Sequence, residues 1–143
     1  MKKIIVLILV SLLLVGCNGK IRLEDKYYKR SEFIDIDHSK VEDLIKSKEN
    51  FVVFIYQPMC TMSSEFEKLL DEYMDIRKIS IYKMSFTDMK KTSLKDIVKF
   101  YPSFIIFKDG EVVDFLDADS DEDTNNYKIL KAFKEWFEGY VEI

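Results

Sequence analysis

The chain has 143 residues, of which 48% are apolar, 34% are charged and 14% are aromatic. This length suits one domain and excludes a multidomain enzyme, because a domain usually takes about 100–200 residues. The 22 basic and 26 acidic residues give a net charge of -4. An acidic balance argues against nucleic acid as a partner, since phosphate binding depends on clustered Lys and Arg.

The N-terminus has the pattern of an export signal. Lys2 and Lys3 precede residues 4–15, of which eleven are apolar, and this segment is shorter than the about 20 residues that span a bilayer. It ends in Leu14-Val15-Gly16-Cys17, which resembles the lipobox of bacterial lipoproteins. We therefore expect residues 1–16 to be a lipoprotein signal peptide. An ordinary cleaved signal peptide followed by an accidental Cys is the alternative.

Lipidation would decide where the protein lies. In lipoproteins the Cys receives diacylglycerol and acyl chains such as palmitate, and several chains anchor a protein far better than one. Lipid on Cys17 predicts a protein on the cell membrane that faces the extracytoplasmic side. Residues 18–31 are polar, with five basic and two acidic side chains. We interpret residues 17–31 as the lipidated N-terminus and a tether, and residues 32–143 as the folded domain.

Apolar spacing predicts alternating strands and helices along the domain. Strands are predicted at 33–36, 51–56, 79–84, 103–107 and 111–116. A helix opened by a capping box of Ser39 and Glu42 follows the first strand, a helix beginning between Cys60 and Ser64 follows the second, and a short helix at 93–100 follows the third. The last two strands are joined by a two-residue turn at Asp109-Gly110, and a last helix has Ile129, Leu130, Phe133 and Phe137 on one face. This order predicts an α/β fold with a mixed central sheet and helices on both faces.

Cys60 is the residue most suited to chemistry. It follows a continuous apolar strand and stands at the entrance to an amphipathic helix, where the helix N-terminus favours a thiolate. Once Cys17 carries lipid, Cys60 is the only free thiol, so no internal disulfide can form. The alternative is a core role, because free Cys is among the most buried residue types.

The element order and three segments resemble the thioredoxin-like family over residues 33–138. The segments are IYQPMCTMSSEF at 55–66, YPSFIIF at 101–107 and FKDGEVV at 107–113. The position of Pro58, two residues before Cys60, also resembles that of a proline in the accessory thioredoxin-like proteins of bacteriocin export. The resemblance implies a thioredoxin fold, a cis peptide bond at Pro102, and a substrate-binding surface that includes Met59, Tyr101 and Pro102. A trans turn proline is the alternative at position 102.

Two departures from the family pattern concern the reaction. The second, resolving Cys of the family is replaced by Ser63, so this chain is a Cys-x-x-Ser variant. The buried Asp that the family places six residues before the first Cys is replaced by Phe54. Both losses favour either exchange through one thiol or no redox role.

The sequence thus predicts thiol–disulfide exchange through one thiol, with Cys60 and Ser63 as catalytic residues. The expected partners are exported proteins or small-molecule disulfides and the membrane, and no cofactor or metal is implied. A non-catalytic binding module that keeps the fold, or a structural lipoprotein with an inert buried Cys60, are the alternatives. Asp117, Asp119 and Asp121 have the spacing that opens a calcium loop, but Glu122 replaces the required Gly, so a solvated acidic loop is the simpler interpretation.

Overall fold

The computed structural model describes residues 19–143, and five strands form one central sheet. The strands are β1 (Phe33–Asp35), β2 (Phe51–Tyr56), β3 (Ile81–Ser85), β4 (Ser103–Lys108) and β5 (Glu111–Leu116). The α-helices are α1 (His38–Lys46), α2 (Thr61–Arg77), α3 (Phe86–Met89), α4 (Thr124–Lys128) and α5 (Leu130–Tyr140), with 3-10 turns at Asp25–Tyr27, Ser93–Asp96 and Asp121–Asp123. The signal peptide predicted at residues 1–16 and the lipidation predicted at Cys17 lie outside the described residues.

The sheet has the order β1-β3-β2-β4-β5. β1, β3 and β2 run parallel, whereas β4 is antiparallel to both β2 and β5. The first five residues of β2 are fully buried, as expected for a central strand covered on both faces. The predicted α/β fold with a mixed sheet is therefore confirmed.

An aromatic cluster holds α2 and α5 against one face of the sheet. The Phe66 ring of α2 meets the Phe133 ring of α5 edge to face at 5.7 Å, and Phe104 of β4 contacts Phe133 at 5.2 Å. Such edge-to-face pairs contribute about 0.5–1.5 kcal/mol beyond the burial of their area. This packing fixes the direction of α2 and hence the position of its N-terminus.

The hairpin between β4 and β5 forms at the predicted turn. Asp109 and Gly110 both have positive φ, at 52° and 75°, as a type I′ turn requires. A Cβ on Gly110 would lie 2.3 Å from the backbone oxygen of Ile45. Glycine is therefore needed at position 110 both for the backbone conformation and for the close approach of α1.

The predicted capping box of the first helix is wrong. α1 is capped by Asp37, whose side chain accepts a hydrogen bond from the Lys40 N–H, and not by a box of Ser39 and Glu42. Glu42 instead accepts hydrogen bonds from the N–H and hydroxyl of Ser93. The spacing of Ser39 and Glu42 fits a capping box, but the glutamate has a partner in a distant turn.

The ends of two other predicted helices also differ. Only Ser93–Asp96 of the predicted helix 93–100 is helical, as one 3-10 turn, since the chain must become extended before Pro102. Ile129, predicted to lie on the inner face of the last helix, is 49% exposed. It adopts an extended conformation between α4 and α5, so the apolar face begins after it.

The largest correction concerns residues 19–30, here called the N-terminal segment, which the sequence suggested to be part of a tether. Ile21, Leu23 and Tyr27 are at most 5% exposed, and the Ile21 N–H donates to the Tyr140 carbonyl at 2.7 Å. The error arose because only three side chains in this segment are buried, and they are separated by charged residues. Within residues 19–143, no helix has the length and apolar character needed to cross a membrane.

Candidate functional site

The candidate thiol lies at the junction of β2 and α2. After Tyr56 the chain turns through Met59, which has a positive φ of 63°, and Cys60 forms the N-cap of α2. The Cys60 N–H donates to the Gln57 carbonyl at 3.2 Å, and the Ser64 N–H donates to the Cys60 carbonyl at 3.0 Å. These bonds place the Cys60 side chain at the first turn of the helix. Cys60 is partly exposed, which disagrees with an inert buried role.

The surroundings of Cys60 favour its ionised form. Burial raises the pKa of the thiol, but the polar hydrogens of the nearby Ser63 N–H, Ser63 hydroxyl and Met62 N–H together lower it below the ordinary value. The unpaired N–H groups of a helix N-terminus act in this way on any anion placed there. No Lys, Arg or His occurs between Gln57 and Glu65, so local backbone and hydroxyl dipoles stabilise the thiolate.

Ser63 is held in a specific orientation. Its side chain is buried, with 2% exposure, and its oxygen accepts a hydrogen bond from the Gln57 N–H at 3.1 Å. Accepting this bond does not use the hydroxyl proton, which stays available to a neighbouring acceptor such as the sulfur of Cys60. The hydroxyl occupies the place of a resolving thiol, but it can offer the sulfur only a hydrogen bond and cannot form a disulfide.

Pro102 lies at the same end of the sheet as Cys60, where β2 ends and β4 begins. The Tyr101-Pro102 peptide bond is cis, as the resemblance to the thioredoxin-like family implies. Ser103 pairs with Ile55, so Pro102 lies beside the end of β2 from which the chain leads to Cys60. The Pro102 carbonyl accepts a hydrogen bond from the buried Tyr127 hydroxyl at 2.7 Å. This bond holds the loop that leads into β4 in place.

Exposed apolar side chains lie on both chain segments that lead to the site. Met59 is fully exposed, and Tyr101 is 41% exposed with its ring 4.8 Å from that of Phe86. Ile97 and Phe100 are also more than 40% exposed. Sequence reasoning missed these two residues because it placed them in a helix, where apolar spacing implies an inward face. Exposed apolar groups at a site are typical of surfaces that bind a partner.

The position of the family's buried carboxylate is apolar. Phe54 is fully buried and contacts the Phe66 ring at 5.6 Å. Its neighbour on β3, Lys83, forms an ion pair with Glu67 of α2 at 2.5 Å. Phe54 offers no group that could take a proton from a second thiol, in agreement with the absence of that thiol.

The acidic loop at 117–123 and His38, the only histidine of the chain, contact polar groups of the protein itself. The acidic loop binds its own backbone: the Asp117 N–H donates to Asp123, and the Asp119 N–H donates to Asp117. His38 contacts Asp88 at 3.4 Å. Within residues 19–143, no three His, Cys, Asp or Glu residues are arranged to hold a metal ion.

Comparison with known proteins identifies the family. The family model described as thioredoxin matches residues 32–132, more than half of the chain. The chain belongs to the thioredoxin family. No curated protein matches it.

Solved structures of thioredoxins agree with this assignment in their fold. A point-mutant thioredoxin from Halobacterium salinarum NRC-1 is 16% identical, with a TM-score of 0.60, covering 80% of this chain and 96% of that one. The reduced thioredoxin pre-protein of Schistosoma mansoni is 19% identical, with a TM-score of 0.57, covering 78% and 100%. A chain of the complex of ferredoxin:thioredoxin reductase with thioredoxin f2 is 19% identical, with a TM-score of 0.53, covering 76% and 97%.

The thioredoxin fold indicates a thiol–disulfide redox function, with proteins or disulfides as substrates. In this chain the thiol of Cys60 is the group that suits that chemistry.

Proposed function

We propose that this protein is a membrane-anchored, extracytoplasmic member of the thioredoxin family that exchanges disulfides through the single thiol of Cys60. One observation carries the proposal: Cys60 is partly exposed at the N-cap position of α2, where the pKa of its thiol is lowered, while a hydroxyl occupies the position of the resolving thiol. A thiolate at this place can attack a disulfide, but no second protein thiol can release the product.

The reaction has two balanced steps. The Cys60 thiolate attacks one sulfur of a substrate disulfide, the sulfur–sulfur bond breaks, and the other substrate sulfur leaves as a thiolate. The product is a mixed disulfide on Cys60. A thiolate of the substrate, or of a small thiol, then attacks the substrate sulfur of that bond and returns Cys60 as a thiolate. No net electrons are transferred when the substrate itself supplies the second thiolate, so this cycle isomerises disulfides.

The substrate would lie across the end of the sheet at which Pro102 is placed. Met59 and Tyr101 are exposed on the two segments that border this end. An extended substrate strand can pair with exposed backbone while its side chains contact such apolar groups. Met59, Tyr101 and Pro102 are therefore the proposed substrate-binding residues.

The proposed location rests on the sequence. Residues 4–15 are too short to span a bilayer, and they lead directly to Leu14-Val15-Gly16-Cys17. Substitution of Cys17 by Ala should remove the anchor, so the variant should move from the detergent phase to the aqueous phase on phase partitioning. Equal aqueous partitioning of wild type and variant would contradict the lipid on Cys17.

The activity is tested by trapping the intermediate. We expect the protein to form one mixed disulfide with glutathione disulfide, visible by intact mass, and to reactivate scrambled ribonuclease. It should fail to reduce insulin catalytically unless a small thiol is added, because Ser63 cannot release the intermediate. The Cys60→Ser variant is the blank. Absence of an adduct on the native protein would contradict the proposal.

A non-catalytic binding module is the second candidate, and the exposed side chains of Met59, Phe100 and Tyr101 favour it. A binding module would hold an unfolded exported protein equally well with or without the thiol of Cys60. Retention of full biological function by the Cys60→Ser variant, with loss of function in Met59→Asp, would favour binding over exchange.

A further inference from the structure

The N-terminal segment leaves a very short link to the proposed lipid. The Ile21 carbonyl accepts a hydrogen bond from the Glu142 N–H at 2.9 Å, and Ile21 itself is 5% exposed. Only residues 18–20 separate it from Cys17. At about 3.6 Å per residue, the link can reach at most about 14 Å. A tether that continued to residue 31 would have reached about 50 Å.

This segment crosses the end of the domain that lies opposite Cys60. The Tyr27 hydroxyl donates to Glu49 at 2.5 Å, and the Asn50 side chain donates to the Arg22 carbonyl at 3.0 Å. Glu49 and Asn50 directly precede β2, whereas Cys60 follows its other end. The six residues of β2, at about 3.3 Å each, separate the two ends by about 20 Å.

The N-terminal segment at this end of the domain is positively charged. Residues 19–30 hold five basic and two acidic residues, a net charge of +3. Residues 31–143 hold 15 basic and 24 acidic residues, a net charge of -9. The charge of the chain is thus strongly uneven, and its positive part lies next to the short link.

Six exposed lysines define this surface, which we call the basic end: Lys20, Lys29, Lys46, Lys48, Lys78 and Lys108. None of the six forms an ion pair with another described residue.

Backbone contacts bring these lysines to one end of the molecule. The Lys29 N–H donates to the Lys78 carbonyl at 2.7 Å. Lys46 and Lys48 lie at the end of α1, beside the hairpin turn at Gly110 that follows Lys108.

The acidic residues at this end are partly neutralised. Asp25 and Glu142 pair with Arg22, and Glu49 pairs with Lys26. Five exposed acidic residues form no ion pair with another described residue: Glu24, Asp43, Asp75, Asp109 and Glu111. The positive charge of the basic end is therefore concentrated on the N-terminal segment, which carries a net charge of +3 beside the short link.

We propose that the basic end is a membrane-docking surface for anionic phospholipid headgroups, and that it holds the Cys60 site facing away from the bilayer. The inference rests on the lipid anchor of the proposed function. A link of at most about 14 Å keeps the lysines within reach of the headgroups, and each basic residue near an anionic surface strengthens binding by about fivefold. A domain on a long tether would rotate freely, whereas this one has a fixed orientation.

Fluorescence quenching on vesicles tests the orientation. The full-length protein, processed and lipidated in a bacterial membrane, is placed in vesicles of phosphatidylglycerol and phosphatidylcholine that carry a headgroup quencher. One sample is labelled at native Cys60. The other is labelled at Ser47→Cys in a Cys60→Ser background, because Ser47 is exposed between Lys46 and Lys48. We expect strong quenching at position 47 and little at position 60.

Charge variants complete the test. Replacing Lys29, Lys48 and Lys78 by Gln should reduce the quenching at position 47, as should raising the salt concentration, which screens the attraction. Replacing Lys68, Lys95 and Lys128 by Gln changes the net charge equally but leaves the basic end intact, so quenching should not change.

Two outcomes would overturn the inference and are distinguishable. If the protein floats with the vesicles but both positions are quenched equally, or the two triple variants behave alike, the basic end does not dock and the anchor stands. If the protein does not float with the vesicles, the lipid anchor itself is absent, and the orientation proposal fails with it.

Discussion

Leu23→Ala measures directly whether the N-terminal segment is part of the folded domain. Leu23 is 2% exposed, and its N–H donates to the Tyr28 hydroxyl at 3.2 Å. Truncating a fully buried Leu to Ala costs about 2–5 kcal/mol, because apolar contact is lost and a cavity remains. For the 125 residues that the structure describes, unfolding entropies of globular proteins convert this loss to a fall in Tm of about 8–19 °C.

The assay is thermal unfolding followed by far-ultraviolet circular dichroism. Lys20→Ala in the same segment is the matched control, because Lys20 is exposed and forms no ion pair with a described residue. Its Tm should stay within about 2 °C of the wild type. Equal Tm values for both variants and the wild type would contradict the packing of the N-terminal segment and would favour a tether. The inferred short link to the membrane would then also be wrong.

Three further changes have defined outcomes. Ser63→Cys should supply the missing resolving thiol, so that the pre-reduced variant, with no small thiol added, cleaves one insulin disulfide and ends with a disulfide between Cys60 and the introduced thiol at position 63, while the wild type stops at the mixed disulfide. Gly110→Ala should lower the urea midpoint by the equivalent of about 2 kcal/mol or more, since the φ of residue 110 is positive and the new Cβ would clash with the Ile45 backbone. In the control Gly139→Ala the new Cβ meets no atom within 4 Å, so this variant should be neutral or stabilising. For Glu49, burial raises the pKa, but hydrogen bonds from Lys26 and Tyr27 hold it below the ordinary 4.5. The ionised Glu49 carboxylate therefore stabilises the folded state above pH 4.5, and this contribution is lost as the pH falls further. The difference in free energy of unfolding between the wild type and Glu49→Gln should consequently narrow from pH 7 to pH 3.

Each of these results can contradict its reasoning. Insulin reduction unchanged in Ser63→Cys would mean that the two side chains cannot meet. Equal urea midpoints for the two glycine variants would contradict the turn geometry. A stability gap for Glu49→Gln that is constant with pH would show that its carboxylate is not stabilised by the folded state.

The central elements could be predicted because their signals are local. The apolar run at 51–56 and the Asp109-Gly110 turn each specify one conformation, through burial on both faces and through positive φ. The thioredoxin fold follows from their order. The Cys60 position at the helix N-terminus was also predictable, since an apolar strand, a proline and an amphipathic helix surround it.

Features that depend on distant contacts could not be predicted. Glu42 binds Ser93, which is 51 residues away, although its spacing fits a local cap. Ile21 is buried because it reaches Val141 and Tyr140 at the other end of the chain. No short-range pattern records such pairs. The hydrogen bond from Gln57 that orients Ser63 likewise depends on the turn through Met59, a non-glycine residue with positive φ.

The rate of Cys60 alkylation by iodoacetamide as a function of pH tests the central claim most directly, because only the thiolate reacts. The same protein unfolded in urea is the internal reference, and Ser63→Ala is the matched variant. We predict that the midpoint of the rate-against-pH curve lies lower for the native protein than for the unfolded chain. Ser63→Ala should move the native midpoint upward, since the variant lacks the nearby hydroxyl that helps to lower the pKa of Cys60. A native midpoint at or above the unfolded one, or a thiol that reacts only after unfolding, would contradict an exchange function for Cys60.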